Sequence, residues 1–434
     1  MVQRIDGAKV LVVGMAKSGI AAAGLLLDRG ARVLATDAKA VDGLPFPFRR
    51  QSAEVFDGHD LIVVSPGVPT DLPDLENARR RGVPVIGEVE LAGYFLQGPV
   101  IGITGSNGKT TTTALTGHLL KNSGVPCQVG GNIGVPPTAM VPSSRAGQWN
   151  VLELSSFQLE TVFAFRAHIG AALNVTPNHL NRHHTFENYA AAKSRLFLNQ
   201  LPGDHRILNR DNTTTRSYEA IGQGSTVWFG EGAECRVRFD GAWIHLDGRP
   251  LAAAQDLQIR GRHNVENAMA AAAAAHLAGA STGAIAAAIT TFKAVEHRLE
   301  YVATVRGVAF YNDSKATSVD ATEKAVATFA GGLWLILGGQ DKGAPYTPLR
   351  TALQEKARGV LLIGEAAPKI AADLSGAAPL FEAGTIEAAV RTAFEKAAPG
   401  DTVLLAPACA SFDQFTSYEE RGRAFKSLVK ALEE

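Results

Sequence analysis

The sequence predicts an α/β protein of three domains built on doubly wound, mostly parallel sheets. Three observations carry this. At roughly 150 residues per domain, a chain of 434 residues has room for about three. Apolar strand segments alternate with helical segments in three successive blocks, the pattern of parallel sheets with right-handed crossovers. Loops rich in Gly, Ser, Thr and Asn follow the strand ends, where such sheets carry their ligands.

The first block runs to residue 93. Lys9–Val13 reads as a strand, Gly19–Arg29 as a helix, and Arg32–Ala35, Asp60–Val64 and Val83–Ile86 as further strands. The second block, 94–294, opens at Pro99 with the strand Val100–Ile103, then a Gly/Thr loop and a helix over Thr112–Asn122. Asn150–Leu154 and Ile169–Val175 are apolar strands and Glu187–Leu201 is helical. Short strands with turns such as Asp247-Gly248 fill 203–260, and one long Ala-rich helical region follows to about Thr291. The third block, 295–434, places strands at Val308–Tyr311, Leu333–Leu337, Val360–Ile363 and Thr402–Leu405.

Composition narrows the function. Apolar residues make up 46% of the chain, enough for several cores, and exclude a disordered chain. Lys and Arg total 42, as do Asp and Glu, so the net charge is zero. A general nucleic-acid binder would carry a basic excess and a membrane anchor a Lys/Arg cluster, and neither is expected here. Cys127, Cys235 and Cys409 are too few and scattered for a disulfide framework or a Cys-rich zinc site. No signal peptide and no stretch of about 18 apolar residues stands out, so a cytoplasmic location is expected.

The sharpest motif is Thr104-Gly105-Ser106-Asn107-Gly108-Lys109-Thr110-Thr111. A strand enters it and a helix leaves it. Glycines let backbone N–H groups converge on phosphate oxygens, and the helix start adds positive potential. Lys109 would reach the terminal phosphates and Thr110 would hold Mg²⁺. The spacing is a shorter variant of the usual phosphate loop, because Ile103 stands where the first Gly belongs. Gly14-Met15-Ala16-Lys17-Ser18-Gly19, with Asp37 at the end of the next strand, is a degenerate dinucleotide fingerprint. Ala16 replaces its second Gly, which favours a nucleotide-like pocket over an intact nicotinamide site.

Glu153 ends an apolar strand, a natural position for a Mg²⁺ ligand beside a phosphate loop. His179 follows another strand in Asn174-Val175-Thr176-Pro177-Asn178-His179 and can ligate a metal or orient a phosphate. Taken alone, Lys193 on its helix reads as an ordinary surface lysine. In the third block, Asn312–Ser318, Gly338–Gly343 and Ala406–Phe415 follow successive strands and offer Lys, Ser, Thr and Asn to an anionic substrate.

Together these segments, with Gly130-Gly131-Asn132-Ile133-Gly134 and Glu153-Leu154-Ser155-Ser156-Phe157-Gln158-Leu159-Glu160, resemble the Mur ligases over essentially the whole chain. The resemblance implies a Rossmann-like N-terminal domain for a UDP-linked substrate, a central P-loop ATPase-like domain, and a Rossmann-like C-terminal domain for an amino acid. The nearest branch adds D-glutamate to UDP-N-acetylmuramoyl-L-alanine, with ATP and two Mg²⁺ ions, in cytoplasmic peptidoglycan precursor synthesis, as a monomer.

The same resemblance assigns roles. Lys109, Glu153, His179 and Lys193 are catalytic. Gly105, Ser106, Asn107, Gly108, Lys109, Thr110, Thr111, Asn264, Asn267, Arg298 and Asp313 surround ATP. Lys17, Ser18, Asp37, Gly67, Asn132, Ser155 and His179 surround the UDP-substrate. Lys315, Thr317, Lys342, Ser411 and Phe412 surround glutamate. Thr110, Glu153, His179 and a carbamylated Lys193 hold metal.

The chain departs from the family at several points. Asn178 and Asn181 stand where aspartates are usual, Ala38-Lys39 where a Thr-Arg pair occurs, and Tyr418 where Phe is common. Other amide ligases of the superfamily, folylpolyglutamate synthase among them, remain alternatives at this stage. So do a nicotinamide oxidoreductase built on the first glycine turn and a non-catalytic nucleotide switch.

Overall fold

The computed structural model describes residues 5–293 and 296–432; the boundary expected at 294/295 and the Asn181 side chain lie outside the described residues. The chain folds into three mostly parallel α/β sheets, as expected. They fall in two compact units: one takes the chain up to Leu257 together with His263–Phe292, the other Gln258–Arg262 and the chain from Lys293.

The first sheet holds β1 (Lys9–Val13), β2 (Arg32–Asp37), β3 (Phe48–Arg50), β4 (Leu61–Val64) and β5 (Val85–Gly87). Their order is β3-β2-β1-β4-β5 and every pair is parallel. Central β1 buries Val10, Leu11, Val12 and Val13 on both faces, which is why it reads as a continuous apolar run. Val13 pairs with Thr36 and with Val64, so the first glycine turn, Asp37 and the loop from Ser65 leave the sheet side by side.

The second sheet holds β6 (Val100–Thr104), β7 (Cys127–Gly131), β8 (Trp149–Glu153), β9 (Ile169–Ala172), β10 (His205–Asn209), β11 (Ser225–Gly230), β12 (Val237–Phe239), β13 (Trp243–Leu246) and β14 (Arg249–Ala253). The order is β14-β13-β12-β11-β10-β9-β6-β8-β7, with only the β12–β13–β14 end antiparallel. Ile103 pairs with Glu153 and Thr104 with Ala172. The phosphate loop, the Glu153 turn and the segment leading to His179 therefore leave from three neighbouring strands.

These two sheets share one unit, and buried carboxylates join them. Glu90 accepts the backbone N–H groups of Phe163, Ala164 and Phe165. Glu88 accepts from the backbone N–H and the hydroxyl of Thr138.

The third sheet holds β15 (Glu300–Val305), β16 (Val308–Asn312), β17 (Leu333–Gly338), β18 (Ala357–Ile363), β19 (Leu380–Gly384) and β20 (Thr402–Leu405), in the order β15-β16-β20-β17-β18-β19. Only β15 is antiparallel. Leu405 pairs with both Asn312 and Ile336, which sets the three polar loops of this block on adjacent strand ends.

Some elements differ from the sequence reading. The Ala-rich region is two helices, Arg262–Leu277 and Thr282–Ile289, because Gly279 turns left-handed and the Ser281 hydroxyl caps the second helix. The helix expected from Thr112 begins at Lys109, and that expected over Glu187–Leu201 spans Phe186–Ser194 with a 3₁₀ turn after it. The strands at 48–50, 127–131, 300–305 and 380–384 were not anticipated; each lies at a sheet edge.

Candidate active site

The phosphate loop closes on itself through its own groups. Ser106 Oγ shares a 3.0 Å hydrogen bond with the Tyr189 hydroxyl and accepts from Thr176 N–H, while Asn174 Oδ1 accepts from Asn107 N–H at 2.9 Å. Gly108 has φ +83°, and a Cβ there would run into Asn267 Oδ1, so this position requires glycine. Asn267 also accepts from the Thr112 hydroxyl and donates to Asn264 Oδ1 at 2.9 Å, which fixes both asparagines behind the loop. Thr110, Thr111 and Ser106 are buried.

Two lysine side chains converge on this loop. Lys109 Nζ donates to the carbonyls of Gly105 at 2.9 Å and Ser106 at 3.1 Å, and Lys193 Nζ donates to the same Gly105 carbonyl at 2.8 Å. Lys193 is 1% exposed, so the surface reading of this lysine fails. Burial drives its pKa well below the ordinary lysine value, the Lys109 charge pushes the same way, and Glu153 opposes them.

Glu153 is buried at the end of β8. Its Oε1 accepts from Asn132 Nδ2 at 2.9 Å, and among the described residues its buried Oε2 has no hydrogen-bond partner. An orphaned buried carboxylate oxygen is costly without a donor or a cation. The residues assigned to the metal, Thr110, Glu153, His179 and a carbamylated Lys193, offer hard oxygens and one imidazole, a set that fits Mg²⁺.

His179 begins a one-turn helix with φ +54° and packs edge-on against Phe157, ring centroids 4.9 Å apart. Loss of solvent lowers its pKa first, and the Lys109 charge adds to that, which favours the neutral imidazole, the form able to ligate. Asn178, at the position of one usual aspartate, accepts from His179 N–H. Ser155 is occupied as a helix cap in a capping box with Gln158.

Lys17, Ser18, Asp37, Gly67 and Asn132 line one cavity of about 610 Å³, together with Gln158, Ser65 and Gly14. That is the size of a ligand pocket rather than a packing void. Asp37 spans the glycine turn by accepting from the N–H groups of Met15 and Lys39. Ala16, the residue that breaks the dinucleotide pattern, lines the same cavity.

Several residues here were missed in the sequence. Glu160 pairs with Arg182 at 2.8 Å and with His183 at 3.1 Å, and His183 Nε2 lies 2.9 Å from Ser156 Oγ. Arg182 also donates to the Val68 carbonyl at 2.8 Å, so one network joins the Glu153 turn, the His179 turn and the loop beside the cavity. Its only signal in the sequence was the polar content of Ser156–Glu160 and Arg182-His183.

The remaining expected residues lie in the second unit. Arg298 acts electrostatically on Asp313, which accepts from Leu299 N–H and whose pKa burial raises to about 6. Lys315 Nζ lies 5.5 Å from the Tyr418 ring centroid and Lys342 Nζ donates to the Thr317 carbonyl at 2.8 Å. Ser411 is buried and Phe412 exposed.

Family models match this chain along most of its length. The MurD-like N-terminal domain of Mur ligases covers residues 8–87, the Mur ligase middle domain 103–275, and the Mur ligase glutamate ligase domain 297–409. A protein of Solibacter usitatus named UDP-N-acetylmuramoylalanine–D-glutamate ligase is 60% identical over 99% of both chains. The chain belongs to the Mur ligase family. A second ligase of that name, from Acidobacterium capsulatum, is 49% identical over 98% of this chain and 97% of its own. Two solved Mur ligases of Thermotoga maritima share the fold. The MurF ligase in complex with ADP has TM-score 0.64 at 17% identity, covering 98% of this chain and 96% of its own. The UDP-N-acetylmuramate-alanine ligase MurC has 0.62 at 19%, covering 98% and 99%.

Proposed function

We propose that this Mur ligase joins D-glutamate to UDP-N-acetylmuramoyl-L-alanine using ATP, in peptidoglycan precursor synthesis. One observation carries the reading. Asn132 lines the cavity that suits a UDP-sugar and donates to Glu153, the carboxylate beside the phosphate loop. Acceptor and phosphoryl donor are thus served by neighbouring groups of one unit.

A carboxylate is a poor electrophile, so the alanyl carboxylate must first be activated. It attacks the γ-phosphorus of ATP, the bond to ADP breaks, and an acyl phosphate forms. The D-glutamate amine attacks the acyl carbon, loses a proton, and phosphate leaves. The first step brings two anions together, and their repulsion must be offset by fixed positive charge. Lys109 supplies one such charge at the loop. Thr110, Glu153, His179 and Lys193 as its carbamate would hold two Mg²⁺ ions, which supply further neutralisation of the phosphates and carboxylate when bound.

Burial supports the carbamate. It favours the neutral Lys193 amine, the form whose lone pair adds to carbon dioxide with loss of a proton. The product is an anionic oxygen ligand of the kind Mg²⁺ prefers.

Residues 1–93, 94–294 and 295–434 then serve the UDP-substrate, ATP and glutamate. Lys17, Ser18, Asp37, Gly67, Asn132, Ser155 and His179 take the first. Gly105–Thr111, Asn264, Asn267, Arg298 and Asp313 take the second, and Lys315, Thr317, Lys342, Ser411 and Phe412 the third. We take the enzyme to be a cytoplasmic monomer. Among the described residues no helix is long and apolar enough to cross a membrane.

The test is phosphate release from ATP with UDP-N-acetylmuramoyl-L-alanine and a panel of D-Glu, L-Glu, L-Ala and diaminopimelate. Release with D-Glu alone is expected. Release that ignores the amino acid would indicate a nucleotide switch instead.

A further inference from the structure

Arg421 is the largest of the fully buried side chains, 1% exposed in the C-terminal helix Tyr418–Lys430. Every acceptor it has is neutral. Its Nε donates to Ser314 Oγ at 3.0 Å and Nη2 to the Ser314 carbonyl at 2.9 Å. Nη2 also reaches the Cys409 carbonyl and Nη1 the Ala410 carbonyl, each at 3.2 Å. Among the described residues no carboxylate lies within 4.0 Å of it. Asp413, which acts on it electrostatically, accepts from Glu365 N–H, and Asp341 pairs with Lys369.

Such a side chain is expensive to keep. A buried guanidinium loses its hydration, and carbonyls return only part of that energy. An apolar residue of similar volume would fill the space at lower cost. The guanidinium instead ties together the loops after β16 and β20, which carry Lys315 and Thr317 on one side and Ser411 and Phe412 on the other. The third loop is drawn in as well. Gln340 and Ala410 exchange backbone hydrogen bonds at 2.9 and 3.2 Å, and a Cβ at Gly339 would collide with the Ala410 carbonyl. The Arg421 charge is felt at Lys342.

We infer that Arg421 is a positioning and specificity-determining residue for the amino-acid substrate. It sets the spacing of the three loops, and its unpaired charge beneath them favours an amino acid with a side-chain carboxylate over its neutral amide. This rests on the reading that these loops receive D-glutamate, and wild-type turnover with D-glutamate checks that reading separately.

With that turnover established, the full-length variants Arg421→Met, Arg421→Lys and Ser314→Ala are assayed with D-glutamate and D-glutamine. Arg421→Met should raise KM for D-glutamate about tenfold or more, the scale of one charge-assisted contact, with KM for ATP and UDP-N-acetylmuramoyl-L-alanine within about twofold of wild type. The kcat/KM preference for D-glutamate over D-glutamine should fall by the same factor. Arg421→Lys and Ser314→Ala keep the charge and lose part of the fork. They should raise KM for D-glutamate yet keep the preference, and they decide the matter if the Met variant does not fold. An unchanged KM in Arg421→Lys overturns the positioning role. A preference lost in Arg421→Lys, or intact in a folded Arg421→Met, overturns the electrostatic one.

Discussion

At the scale of single residues, two lysines share one carbonyl, and the proposed mechanism gives them different work. Lys109 is half-buried and Lys193 fully buried, and both donate to the Gly105 carbonyl. Lys109→Ala should lower kcat by at least about a hundredfold, the size of losing one preorganised charge in a dry site. The cavity proposed for the UDP-substrate is not lined by Lys109, so binding of that substrate, measured by calorimetry, should be kept. Near-normal turnover in this variant would remove the loop from the mechanism. Lys193→Ala should be nearly inactive for a different reason, the loss of an anionic ligand, and short carboxylates such as acetate should restore part of the rate. Full activity without rescue would rule the carbamate out. Lys109 was legible from its glycine setting alone. Lys193 was not, because the fact that distinguishes it is burial against Gly105, 88 positions away. The Glu160, Arg182 and His183 network escaped notice for the same reason, since each residue looks like an ordinary surface charge until the fold brings them together.

At the scale of elements, the strands easiest to read are those buried on both faces, such as β1, β6 and β17, where apolar runs are unbroken. The four that were missed are edges, half solvated and mixed in composition, so their sequences carry little periodic signal. The joint between the first two sheets was equally hidden. The helix Glu88–Gly93 looks like a polar surface turn, yet Glu88 is 1% exposed and its Oε2 has no hydrogen-bond partner among the described residues. Burial raises its pKa from 4.5 to about 7, with the Thr138 hydrogen bonds opposing. A raised carboxyl pKa means that the folded state prefers the protonated form. The stability it contributes is complete below about pH 4.5 and is lost as pH climbs through about 7. The difference corresponds to about 3 kcal/mol at most. Glu88→Gln keeps Oε1 as an acceptor and cannot ionise. Thermal melts at pH 5 and pH 8 should differ less in that variant than in wild type; an equal difference in both would show that Glu88 does not titrate in this range.

At the scale of the whole molecule, a net charge of zero conceals a division of labour. The cavity residues, the phosphate loop, Glu153, His179 and Lys193 all belong to the first unit, whereas Lys315, Lys342, Ser411 and Arg421 belong to the second. On the proposed roles the UDP-substrate falls to the first unit and the amino acid to the second, so a change in the glutamate loops should leave UDP-substrate binding intact. Lys342→Ala tests this. Its ammonium holds the Thr317 carbonyl and belongs to the loop proposed for glutamate. Replacing it should lower kcat/KM for D-glutamate by about tenfold to a hundredfold, the range for a charged hydrogen bond. A ligand that binds only the native state raises its stability by about 2.7 kcal/mol at a hundred times its Kd, so the melting shift produced by UDP-N-acetylmuramoyl-L-alanine reports the first unit directly. That shift should match the one seen with wild type. If the UDP-substrate shift shrank along with D-glutamate turnover, the two parts would be coupled before the amino acid arrives, and separate binding would have to give way to an ordered scheme in which the second unit helps to form the first substrate's site.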